Sequence, residues 1–121
     1  MSTTKTDRNT LSATTLIGDR VVNPRGEDLG KIEDLMIDPE LGRVGYAVLS
    51  FGGFLGMGDK LFAVPMQALK LSRDDKKFVL DVDKDRLKNA PGFDKNHWPD
   101  MSDRTFGSTV YSYYGTQPYW H

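Results

Sequence analysis

Cysteine is absent from all 121 residues. Disulfides and thiolate metal sites are thereby excluded, the disulfide-dense secreted scaffolds with them, and a cytoplasmic location is the expectation. Nor is there a run of about 18 apolar residues, so no segment reads as a membrane-spanning helix. Residues 1–11 hold no apolar stretch behind Lys5 and Arg8, which excludes a secretory signal, and being Ser/Thr/Lys/Asp-rich they are expected to be disordered. An excess of either charge is missing too. Sixteen basic residues against seventeen acidic ones leave no field to draw nucleic acid or an anionic membrane. Histidine is nearly absent: only His97 lies away from the chain end, and one imidazole without cysteine cannot build a zinc site from N and S ligands.

What is present centres on residues 43–65. Two apolar strands, Val44 to Phe51 and Leu61 to Val64, flank a loop holding Gly52, Gly53, Gly56 and Gly58. Val44, Tyr46, Val48, Phe51 and Phe62 are the β-branched and aromatic types that suit a pleated, half-buried surface. Around this hairpin the chain reads as short strands with close turns. A helical turn at 12–18 with Leu16 and Ile17 precedes a strand at 20–23, closed by Asn23-Pro24-Arg25-Gly26 in type I turn order. The next strand, 29–38, breaks its alternation at Glu33 and Asp34. A β-bulge there would let Ile32, Leu35 and Ile37 face one core. Asp38-Pro39-Glu40-Leu41-Gly42 makes a hairpin turn, Pro65 ends the second central strand, and strands follow at 68–71 and 78–82. Asp83 then caps a short helix, 84–90, with Leu87 turned inward and Pro91-Gly92 as its stop.

Residues 12–90 thus predict one small all-β domain, a barrel of about six strands with a short C-terminal helix, followed by an extended tail at 91–121 that is partly docked. A core this small supplies roughly 3–5 kcal/mol without a staple or partner, so self-association is expected. The tail has few of the branched aliphatics of a core but carries Trp98, Tyr111, Tyr113, Tyr114, Tyr119 and Trp120, aromatic groups suited to docking on a protein surface.

Leu16-Ile17-Gly18, the run from Gly26 to Pro39, Gly42-Arg-Val-Gly-Tyr-Ala-Val-Leu49, Gly52-Gly53-Phe-Leu-Gly56, Val64-Pro65 and Leu69 together resemble the PRC-barrel family. The resemblance spans residues 16–87. It implies a small barrel of the kind found in the cytoplasmic domain of the photosynthetic reaction-centre H subunit, in the C-terminal domain of the ribosome maturation factor RimM, and in stand-alone bacterial proteins. It also implies an adaptor role. The chain departs from the H subunit in having no transmembrane helix, and from the maturation factor in having no RNA-factor domain before the barrel.

Chemistry-bearing patterns are weak by comparison. Gly58 is followed by Asp59, so the glycine loop is neither a Walker loop nor a dinucleotide fingerprint. Asp81-Val-Asp83-Lys-Asp85 begins like a calcium loop, yet has Arg86 at the sixth position and Gly92 at the twelfth. The expectation is therefore no catalytic residue, no metal and no cofactor. Phe54, Leu55 and Met57 on the glycine loop either fold inward as a lid or project as a contact patch. With Trp98 and the C-terminal aromatics they are the candidate protein contacts of a non-enzymatic binding or assembly module, expected to be a homo-oligomer with a protein partner of unknown identity. The alternative is a peripheral regulator of electron or proton transfer resembling the soluble part of the H subunit, in which Glu33, Asp34 and Asp38 carry protons.

Overall fold

The computed structural model describes residues 11–52, 59–72 and 76–120. Phe54, Leu55 and Met57, and the segment expected to be disordered apart from Leu11, lie outside the described residues. In chain order the elements are α1 (Ala13–Leu16), β1 (Arg20–Val22), β2 (Asp28–Asp38), β3 (Arg43–Gly52), β4 (Asp59–Pro65), a 3₁₀ turn (Met66–Ala68), β5 (Leu69–Ser72), β6 (Lys77–Leu80), α2 (Lys84–Lys88), β7 (Gly92–Phe93) and α3 (Arg104–Tyr113).

The strands form one mixed sheet in the order β5-β6-β1-β2-β3-β4-β7, antiparallel except for the parallel pair β1–β6. The expected closed all-β barrel of about six strands is therefore corrected on three points: among the described residues there are seven strands, the sheet they form is open, and three helices accompany it. Closure fails for a local reason. The outer edge of β4 is taken at Leu61 and Phe62 by β7, and Pro65, with no N–H, cannot donate to a further strand.

The sheet is nonetheless strongly curled. Only the 3₁₀ turn links β4 to β5, which stand five strand positions apart. In a flat sheet that separation is about 24 Å, whereas three 3₁₀ residues advance about 6 Å. Bending the sheet into a cup brings the two strands together at that end. Inside the cup lies the larger core, with Val21, Leu29, Ile32, Leu49, Phe62, Val64, Phe78, Leu80 and Leu87.

Two slips in the β2–β3 register shape the middle of the sheet. Ile32 faces Leu49 while Asp34 faces Val48, so Glu33 is the extra residue of a bulge at the place its broken alternation predicts. The second slip was not visible in sequence: Met36 faces Tyr46 and Ile37 faces Val44, leaving Gly45 as the extra residue of β3. Ile32 and Leu35 do turn to the inner core, but Ile37 does not reach it and is 61% exposed. By that point β2 has run past β1, whose pairing stops at Lys31, and β3 has run past β4, whose pairing stops at Tyr46. The two strands continue alone as a ribbon ending in the 38–42 turn.

The reading of β3 as half-buried is also corrected. Residues 45–51 form an unbroken buried run, the mark of a strand covered on both faces. Its second cover is the C-terminal segment. Tyr46, Val48, Leu61, Ala63, Phe93, Val110 and Tyr111 make a second core on the outer side of the sheet. Residues 104–120 are thus a helix and a returning strap, not an extended tail. Phe106, Val110, Tyr111 and Tyr114 share one face of α3 at the spacing of a helix, and Asp103 caps it by accepting the Thr105 N–H at 2.9 Å.

Candidate functional site

The aromatic candidates from Tyr111 to Trp120 fall into three groups. Tyr111 is 1% exposed; its ring meets Tyr46 edge-on at 5.6 Å and its hydroxyl donates to the Gly45 carbonyl at 2.7 Å. It is a core residue and presents no surface to a partner. Tyr113 is tied to α2: its hydroxyl donates to the Arg86 carbonyl at 2.5 Å, Arg86 Nη2 donates back to the Tyr113 carbonyl at 2.5 Å, and the guanidinium stacks 4.2 Å from the ring. Tyr114 bridges both cores with a buried hydroxyl that has no hydrogen-bond partner among the described residues, and burial pushes its ionisation well above the usual tyrosine value. Trp98 stands apart, 39% exposed, with its ring 5.1 Å from Phe93.

Tyr119 and Trp120 form the third group, with the ribbon. The strap leaves α3 through Gly115, whose φ of +71° suits a residue without a side chain, and Gln67 Nε2 donates to the Gln117 carbonyl at 2.7 Å. It then lays Tyr119 across the outer side of the ribbon. The Tyr119 hydroxyl donates to Asp38 Oδ2 at 2.7 Å, and Arg43 stacks 4.5 Å from the Tyr119 ring. The bulged Gly45 makes room: a Cβ there would stand 3.1 Å from the Tyr119 hydroxyl. Trp120 packs edge-on against Tyr111 at 5.3 Å and carries Arg104 over its face at 5.4 Å.

Asp38 is a joint between turn and strap. Its Oδ1 accepts the N–H groups of Glu40 and Leu41 at 3.0 and 3.1 Å, which shapes the 38–42 turn. The Tyr119 hydroxyl and then the Leu41 N–H hold its carboxyl below the ordinary aspartate value. Tyr119 is pushed up to about 12, first by burial and then by its bond to Asp38. A depressed carboxyl contributes stability that is full above its unfolded pKa of about 4 and is lost as pH falls through the folded value. A raised tyrosine acts at the other end, contributing fully below about 10 and losing that contribution as pH climbs through the folded value. Thermal unfolding followed against pH is therefore expected to show a shallower decline below pH ~4 in Tyr119→Phe than in the native protein.

Between ribbon and α3 lies a cleft of about 480 Å³. Met36, Met101, Tyr46 and Trp120 supply its apolar walls, and Asp38, Glu40, Asp103 and Arg104 its charged groups. The opposite side of the ribbon is bare. Ile37 is 61% and Leu41 54% exposed, and alternation sets Ile37 and Val44 on the same face, turned from the strap. The Gly18 N–H donates to the Ile32 carbonyl, which places α1 along β2 on the ribbon side of β1, and the flanking Leu11 and Ile17 are exposed as well. Among the described residues, four of the five exposed large apolar side chains thus belong to segments at one end of the cup. Sequence reasoning missed Ile37 and Leu41 as surface groups. The signal was the continued alternation of β2 beyond the length that β1 could cover.

Polar side chains elsewhere in the domain serve the fold. Asn23 is buried with its side chain fully used: Oδ1 accepts the N–H groups of Arg25 and Glu27, and Nδ2 donates to Glu27 Oε1 and the Val82 carbonyl. Asp34 Oδ1 accepts the N–H of its neighbour Leu35 at 2.8 Å, just beyond the bulge. His97 is exposed beside Asp94. Among the described residues no group of three His, Cys, Asp or Glu is placed to hold a metal ion, and no helix is long and apolar enough to cross a membrane.

A curled sheet with apolar and aromatic surfaces at one end is the architecture of a small interaction module. The family model of the PRC-barrel domain matches residues 8–87, about two thirds of the chain, and the protein belongs to that family, whose domains are non-catalytic. No curated protein matches it. The match stops short of β7, α3 and the strap, so the outer cover of β3 and β4 lies beyond the residues matched.

Proposed function

We propose that the protein is a non-enzymatic binding and assembly module of the cytoplasm that self-associates, with residues 12–90 as its domain and 91–121 as an extension docked on it. The observation that carries this reading is the bare ribbon face, Ile37 with Leu41 and Val44, at the end where Leu11 and Ile17 are also in water. An apolar face meeting its own copy about a two-fold axis needs no further complementarity. Main-chain pairing along the outer edge of β2 is a poorer route, because the Glu33 bulge and the Asp34 carboxylate on the Leu35 N–H interrupt that edge. Phe54, Leu55, Met57 and Trp98 are proposed as further contacts.

Sedimentation velocity at tens of micromolar tests the reading. A dimer is expected, and Ile37→Glu or Leu41→Glu is expected to weaken it at least about tenfold, near 1.4 kcal/mol. Both positions are exposed, so the monomer's melting temperature should hardly move. A native protein that stays monomeric, or a dimer indifferent to both changes, overturns it. The electron- or proton-transfer alternative has little to rest on: Asp38 is committed to the turn and Tyr119, and Asp34 to a backbone N–H.

A further inference from the structure

We propose that the cleft between the ribbon and α3 is the docking site for a partner-protein segment carrying a lysine or arginine beside an apolar side chain. The proposal rests on the protein-binding reading above and adds to it a second surface with a different occupant. Its first support is charge. Asp38, Glu40 and Asp103 line the cleft against the single base Arg104, and Arg104 is already stacked over Trp120. Asp38 and Asp103 are engaged, the one by Tyr119 and the turn, the other as the cap of α3. Glu40 has no side-chain partner among the described residues, so its carboxylate is available to an incoming ammonium or guanidinium group.

The second support is independent of charge. Tyr46 lines the cleft, is only 4% exposed, and its hydroxyl has no hydrogen-bond partner among the described residues. The hydroxyl is not sealed off but opens onto the cleft, where a ligand accepting its proton would take the place of water and add one hydrogen bond. The room around that hydroxyl is kept open by Gly107, where a Cβ would come within 2.5 Å of it. A peptide carbonyl is the natural acceptor. The two methionines suit an apolar neighbour of the basic residue, being unbranched, polarisable and able to adjust to the side chain they meet.

The test is a titration of the full chain with two capped dipeptides, N-acetyl-leucyl-lysine amide and N-acetyl-leucyl-glutamate amide, read by NMR on the methyl groups of Met36 and Met101 and the indole N–H of Trp120. Saturable shifts with the lysine peptide, at least about fivefold tighter than with the glutamate peptide, are expected from the charge of the lining. Tyr46→Phe is expected to weaken the lysine peptide about fivefold, the loss of one hydrogen bond, and Glu40→Gln two- to fivefold. Neither change removes a bond within the protein, so both should melt as the native protein does. Absence of shifts at all three probes, equal or better binding of the glutamate peptide, or indifference to Tyr46→Phe overturns the proposal. Leu41 does not line the cleft, so Leu41→Glu serves as the separate dimer assay, and a monomer that binds the lysine peptide and a dimer that does not are distinguishable outcomes.

Discussion

Gly30→Val is expected to cost much of the protein's stability. Gly30 sits in β2 with φ +101°, a conformation that residues with side chains rarely adopt. A Cβ there would stand 2.1 Å from the Ser50 carbonyl oxygen and 3.2 Å from Phe51 Cα. Those atoms are backbone in β3, buried on both sides, so no rotamer change relieves the overlap. Strain of this kind costs about 1–3 kcal/mol and overpacking another 1–3 or more. The sum takes up much of the stability of a domain this size, which is on the order of 5–15 kcal/mol. Gly26→Val separates the two causes. Gly26 also has a positive φ, +83°, but open space where the Cβ would go, so it should lose only the conformational part. Urea midpoints compare the two; equal losses would show that the contact with Ser50 carries no weight.

Tyr111→Ala is expected to cost about 3–5 kcal/mol, the range for removing a large buried aromatic group. Tyr111 is where helix, sheet and strap meet: Tyr46 on one side, Trp120 on another, and Gly45 under its hydroxyl. Tyr111→Phe should cost about 1–3 kcal/mol, because it keeps the ring and leaves the Gly45 carbonyl without its donor. The loss should be local in the first instance. A ten-residue helix containing Gly107, Ser108, Thr109 and Ser112 has little stability of its own and persists because it is docked. Hydrogen exchange should therefore accelerate at the α3 amides of Gly107 and Tyr114 before it does in β3. Uniform acceleration across the sheet, or a cost under about 1 kcal/mol, would refute a strap held by Tyr111.

Much of the cup was legible in sequence because its signals are local. Asn23-Pro24-Arg25-Gly26 makes its turn, with the Gly26 N–H on the Asn23 carbonyl at 2.9 Å, and the phase change at Glu33 marks a real bulge. Asp83 precedes a helix whose Leu87 is buried, and Pro65 ends β4. What stayed hidden depends on partners far along the chain. Gly92-Phe93 carries no strand pattern of its own and becomes one only by pairing with Leu61 and Phe62, which is also what leaves the sheet open. Residues 104–113 read as part of an extended, partly docked tail because Ser, Thr and Gly outnumber aliphatics there. The helix they form is selected by the apolar outer face of β3 and β4, which no local propensity reports. Exposure was hidden for the same reason at two positions: Tyr111 looked available and is interior, whereas Ile37 looked interior and is in water.

The parallel pairing of β1 with β6 has a kinetic consequence. Arg20 lies beside Lys77, Val21 beside Phe78 and Val22 beside Val79, so the first strand gains that neighbour only after nearly sixty intervening residues have been gathered. The β2–β3 and β3–β4 hairpins need no such wait, and each can zip from its own turn. Their assembly should outpace the seating of β5–β6 on β1, making that late, long-range closure the step that limits how fast the polypeptide reaches its native form.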